Sequence, residues 1–88
     1  MASLIIKDYH KFDYDILVKD YGFERIDNDL LDYKIYQREI EDSYILVYDD
    51  GDVSVQTENE SGIIDQDILC VLYKLIQDGI IEVIGNEQ

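Results

Sequence analysis

The chain has 88 residues, 47% of them apolar, with 21 acidic side chains against 7 basic ones and a net charge of −14. That length corresponds to one domain over residues 1–88 with a small core, since such a chain hides only roughly 60–65% of its unfolded surface. The even spread of Ile, Leu, Val and Tyr excludes a disordered acidic tail, and the single cysteine, Cys70, excludes an internal disulfide framework.

In chain order, a short apolar start (Leu4, Ile5, Ile6) runs at once into Lys7 and Asp8, which is not the pattern of an export signal. No apolar run approaches the roughly eighteen residues of a membrane span. Together with the lone cysteine, this makes a cytoplasmic location the expectation. Phe12 with Ile16, and Leu17 with Tyr21, recur at four-residue spacing and predict a first helix over Phe12 to Tyr21. Asp13 and Asp15 suit its positive end, and Gly22 followed by Phe23 reads as a left-handed cap whose next apolar residue folds back on the helix.

From Phe23 to Glu58 the pattern changes to strands rich in Tyr, Ile and Val. Phe23 to Asp27 and Tyr33 to Ile40 read as strands separated by an Asn28-Asp29 turn. Asp50-Gly51 predicts a hairpin with a two-residue type I′ turn. In that register Tyr48 faces Val53, Leu46 faces Val55 and Tyr44 faces Thr57 on a core face. Ile45 and Val47 then fall on the second face, to be covered by another element or a partner.

The last third holds the clearest helix, from about Ile63 to Asp78, with Ile64, Ile68, Leu69, Leu72, Leu75 and Ile76 along its stripe. Cys70 beside that stripe is expected as a small buried residue. Asp65 and Asp67 lie in the first turns, Lys74 near the end, and Gly79 closes the helix. Ile80, Ile81, Val83 and Ile84 supply a final short strand. The order α-β-β-β-β-α-(β) predicts an α+β fold: a small antiparallel β-meander of three to four strands with two helices packed on one face.

Four patterns invite a chemical reading, and each has a simpler one. Asp49-Asp50-Gly51-Asp52 clusters oxygen ligands. With Gly51 at the sixth position of a calcium loop, however, Leu46, Tyr48 and Thr57 occupy the first, third and twelfth, and none is a carboxylate. Asp32-Tyr33-Lys34 matches the minimal acid-x-lysine element of metal-dependent nucleases, yet the chain lacks positive surface for a phosphate backbone. His10 and Cys70 have no orienting third group and do not form a nucleophilic pair, and His10 is expected at the surface. The five glycines are isolated and read as caps and turns, not as a phosphate loop. No enzyme, metal or cofactor is expected.

Charge is the strongest functional signal. Residues 1–38 carry a net −2 and residues 39–88 a net −12, and the stretch from Glu39 to Tyr73 contains ten carboxylates and no lysine or arginine. Such a field attracts a basic surface and repels free nucleic acid and anionic membranes. Alternate residues on a strand lie about 6.6 Å apart on one face, so Glu39 with Glu41, or Asp52 and Glu58 with Asp49 and Asp50, are candidates for an array that imitates phosphates. Eight tyrosines without tryptophan supply rigid amphipathic contacts.

The size, charge and Tyr/Ile/Asp-rich composition resemble those of small phage or mobile-element proteins, including anti-CRISPR and other DNA-mimic inhibitors. That resemblance covers overall composition and rests on no motif. The expected function is non-enzymatic: an acidic inhibitor or modulator occupying a basic, nucleic-acid-binding surface of a partner protein. Its candidate partner-binding residues are Glu39, Glu41, Asp42, Asp49, Asp50, Asp52, Glu58 and Glu60, with Tyr36 and Tyr44 as anchors. The alternative is a small assembly protein, a homodimer joined through the apolar Ile45/Val47 sheet face or the apolar C-terminal segment.

Overall fold

A computed structural model of the chain describes residues 2–26 and 34–85. The Asn28-Asp29 turn and the Asp32-Tyr33 part of the acid-x-lysine element lie outside these residues. The elements are β1 (Ala2–Ile6), α1 (Asp15–Tyr21), β2 (Glu24–Ile26), β3 (Ile35–Ile40), β4 (Ser43–Tyr48), β5 (Asp52–Thr57), α2 (Gln66–Gln77) and β6 (Ile81–Gly85). All strand pairs are antiparallel, and the order across the sheet is β2-β3-β4-β5-β1-β6.

The class is α+β with both helices on one face, as the sequence predicts, but the sheet has six strands where three or four were expected. The meander runs from β2 to β5. The additional strand is the apolar start of the chain, which enters the sheet between β5 and β6. Leu4 pairs with Val53 on one side and with Val83 on the other. Both partners lie far along the chain, so no local pattern announces the pairing.

The hairpin register differs from the expected one by a single residue. Val47 pairs with Val53, Ile45 with Val55 and Ser43 with Thr57. The loop is Asp49-Asp50-Gly51, closed by the Gly51 N–H donating to the Tyr48 carbonyl at 3.0 Å, and only Gly51 has positive φ (97°). A type I′ turn needs positive φ at both central residues, whereas a type I turn followed by a left-handed glycine gives a three-residue loop. Because side chains alternate along a strand, this one-residue change reverses the faces. Ile45 and Val47 are fully buried under the helices, and Tyr44, Leu46 and Tyr48 lie half-buried on the opposite face. The expected core face and the expected outer face are therefore exchanged. An interface between copies through Ile45 and Val47 is excluded by their burial.

α1 begins three residues later than its spacing predicts, after the Asp13 carboxylate accepts the Asp15 N–H at 3.1 Å. It ends as expected: Gly22 is left-handed (φ 74°), the Phe23 N–H donates to the Leu17 carbonyl at 3.0 Å, and Phe23 is buried. α2 starts at an Asp65 N-cap whose side chain accepts the Asp67 N–H at 2.8 Å. At its other end the Gly79 N–H donates to the Ile76 carbonyl and the Ile80 N–H to the Leu75 carbonyl, the paired bonds of a Schellman cap. Ile68 and Leu75 of its stripe are fully buried, but Leu69 is 45% exposed and Cys70 is exposed, contrary to expectation. Both point away from the line through Ile68 and Leu75, because a helix advances about 100° per residue.

The core unites Ile6 of β1, Leu17 of α1, Phe23, Tyr36 of β3, Ile45 and Val47 of β4, Ile68 and Leu75 of α2, and Ile81 of β6. Among the described residues, no helix is long and apolar enough to cross a membrane.

Candidate partner-binding surface

Strand ends position most of the predicted acidic residues, and they do so in two groups. At the β3–β4 turn, Glu41 sits at positive φ (54°) and Asp42 follows. The Asp42 carbonyl accepts the Glu58 N–H at 2.8 Å and the Thr57 hydroxyl at 3.3 Å, which draws the end of β5 to the same corner. Glu39, Glu41, Asp42, Glu58 and Glu60 are all exposed there or in the loop that follows. That loop is held by Asn59, whose Nδ2 donates to the Ile63 carbonyl at 2.6 Å and whose Oδ1 accepts the Ser61 hydroxyl at 2.7 Å.

Asp49, Asp50 and Asp52 form the second group at the opposite end of β4, about 17–20 Å away by strand rise. Two of them have structural duties. Asp49 Oδ2 accepts the Lys34 N–H at 3.1 Å, and Asp50 Oδ1 accepts the Asp52 N–H at 3.1 Å, an Asx turn that stabilises the loop. The Tyr14 hydroxyl lies 3.4 Å from both the Asp49 and the Tyr9 carbonyls. Burial, and secondarily the charges of Asp49 and Asp50, push the Tyr14 pKa up to about 12. The phenol therefore remains neutral and donating at ordinary pH.

Neither predicted strand array exists in the form expected. Glu41 lies in the turn, one residue beyond the end of β3, so it does not continue the alternation from Glu39. Asp52 opens β5 and Glu58 lies just past its end, so these two mark opposite corners. The two tyrosine anchors also part company. Tyr36 is 4% exposed in the core and stacks on Tyr14 with ring centroids 5.5 Å apart, which removes it from the surface as an anchor. Tyr44 stands on the face opposite the helices, its hydroxyl donating to Gln56 Oε1 at 3.1 Å.

Several surface residues escaped the sequence reading. Leu46 and Tyr48 were assigned to the core, yet they share the helix-free face with Tyr44, and so does Ile35, which pairs with Tyr48. Glu24 and Glu82 reach the same face from the outer strands β2 and β6. The alternation along β4 carries this information, but both of its faces are apolar, so its phase follows only from the hairpin register. Ile63, Leu69 and Tyr73 form a further exposed apolar set along and before α2.

A shallow cleft of about 400 Å³ is lined by Asp20, Tyr21, Gly22, Arg38, Val71 and Lys74. Arg38 Nη1 donates to the Glu39 carbonyl at 3.3 Å, while its Nε is buried against Gly22 without a hydrogen-bond partner. Tyr21 at the cleft wall donates to the Asp78 carboxylate. Burial, followed by that hydrogen bond, pushes its pKa up to about 12. No nucleophile with an adjacent base lines this cleft. Among the described residues no group of three or more His, Cys, Asp or Glu could hold a metal ion.

Comparison with family models, curated proteins and solved structures finds no match.

Proposed function

We propose that this chain is a non-enzymatic protein-binding domain of the cytoplasm. It acts as an acidic inhibitor or modulator that occupies a basic, nucleic-acid-binding surface of a partner, in the manner of small phage or mobile-element DNA mimics. The observation that carries the reading is the placement of charge. Exposed carboxylates gather at both ends of the β3–β4–β5 meander, and β4 and β5 contain no lysine or arginine at all. A surface of one sign supports capture of a cationic partner, speeds its approach and repels nucleic acid itself. The separation of the two acidic groups supports contact with an extended basic surface more than with a single cation.

The test is affinity capture with the tagged chain, followed by elution with duplex DNA. Under this reading the bound protein is itself a nucleic-acid binder and leaves the chain when DNA is added. A partner indifferent to DNA, or recovery of the chain alone, overturns it.

A further inference from the structure

The sheet face opposite the helices carries an apolar line, the neutral polar residues Gln37, Ser54 and Gln56 next to it, and carboxylates. Along its middle, Tyr44, Leu46 and Tyr48 stand in a line on β4, all half-buried, with Ile35 beside Tyr48 in register. Around them the exposed residues Glu24, Glu39, Asp52 and Glu82 come from four different strands. Among the strand residues on this face there is no lysine or arginine. The arginines of β2 and β3, Arg25 and Arg38, pair in register with Tyr36 and Ile45, which places them on the helix-covered side.

An apolar line with carboxylates on both sides of it and no cation among the strand residues has a definite complement. A second copy of the chain fits poorly, because it would set the same four carboxylates against their equivalents. A free anion or a nucleic acid is repelled. Glu39 on β3 and Asp52 on β5 lie on the two sides of β4, about 10 Å apart across the strands and about 13 Å apart along them, at opposite ends of the Tyr44–Leu46–Tyr48 line. Resting on the binding role proposed above, we propose that this open face docks a basic amphipathic helix of the partner protein. Its apolar ridge packs on Tyr44, Leu46 and Tyr48, and lysines or arginines on both sides of the ridge reach the flanking acids.

The full chain, labelled with nitrogen-15, can be titrated at about 0.15 M salt with two synthetic probes: an amphipathic helical peptide bearing leucines flanked by lysines and arginines, and an oligolysine of equal charge. The amphipathic peptide should bind about tenfold tighter or better, with amide shifts concentrated in β3, β4 and β5. Leu46→Gln should remove that advantage and leave oligolysine binding unchanged. A second variant, Glu39→Lys with Asp52→Lys, reverses two exposed side chains and should weaken both probes. Equal affinities, or shifts confined to the two acidic turns and untouched by Leu46→Gln, overturn the docking face while the acidic binding role stands. Failure of both probes to bind even at low salt overturns both. A dimer dissociated by Leu46→Gln gives the face to a second copy and likewise overturns the proposal.

Discussion

The Ser43 hydroxyl, wholly buried at the start of β4, accepts the backbone N–H of Asp65 at 2.7 Å and so ties the sheet to the N-cap of α2. Removing it leaves a part-buried donor without its partner. Ser43→Ala should cost about 1–3 kcal/mol, read as a lower urea midpoint with an unchanged m-value. A loss below about 0.5 kcal/mol would mean that water replaces the hydroxyl at no expense.

Gly51 and Gly62 both have positive φ, 97° and 74°, but different surroundings. A Cβ at Gly51 would lie 2.7 Å from Tyr9 Cγ and 2.8 Å from Tyr9 Cβ, whereas one at Gly62 meets nothing within 4 Å. Gly62→Ala should cost about 1–2 kcal/mol from backbone strain alone. Gly51→Ala should cost at least about 1 kcal/mol more, because the Tyr9 ring must be displaced. Equal losses in parallel chemical denaturation would show that Tyr9 yields freely.

Tyr14 and Tyr21 have pKa values raised from 10.0 to about 12, so the fold favours their neutral forms. Their contribution to stability is complete below pH 10, the value expected of the unfolded chain, and is lost as pH rises through about 12. The double variant Tyr14→Phe, Tyr21→Phe should lose the late component of phenolate absorbance. It should also show a shallower fall of stability across that window. An unchanged absorbance titration would contradict the assignment.

With a net charge of −14, repulsion among the exposed acids opposes folding. Raising salt from low concentration to about 0.2 M should stabilise the chain by on the order of 1 kcal/mol, or roughly 4–8 °C in Tm. Neutralising one corner with Glu41→Gln, Asp42→Asn and Glu58→Gln should reduce that response. A melting temperature independent of salt would refute the repulsion argument.

What the sequence made legible was local. The caps at Gly22 and Gly79 and the helix through Ile68 and Leu75 follow from periodicity and from residues that tolerate left-handed backbone, and all of them recur in the fold. The hairpin was located correctly, but its register turned on whether Asp50 or only Gly51 takes positive φ. Either loop accepts the same dipeptide, and the flanking residues do not arbitrate, because Tyr44, Leu46 and Tyr48 are large strand-forming side chains with apolar bodies that suit a core face as Ile45 and Val47 do. Of the candidate surface, the exposed acids were readable from charge alone. The withdrawal of Tyr36 into the core and the emergence of Leu46 and Tyr48 on the open face required the register. The place of β1 required contacts that span almost the whole chain.

That last pairing governs the order of events when the chain is made. Ala2 and Gly85 are partners in the ladder, so β1, which leaves the ribosome before the other five strands described, finds its outer neighbour only when β6 has emerged. At about 5–20 residues per second, Leu4 and Ile6 wait several seconds with one side unpaired, while the β2–β5 meander can close around its own turns. The nascent chain therefore passes through an interval in which an apolar strand edge is open to other chains, and completing β6 ends it.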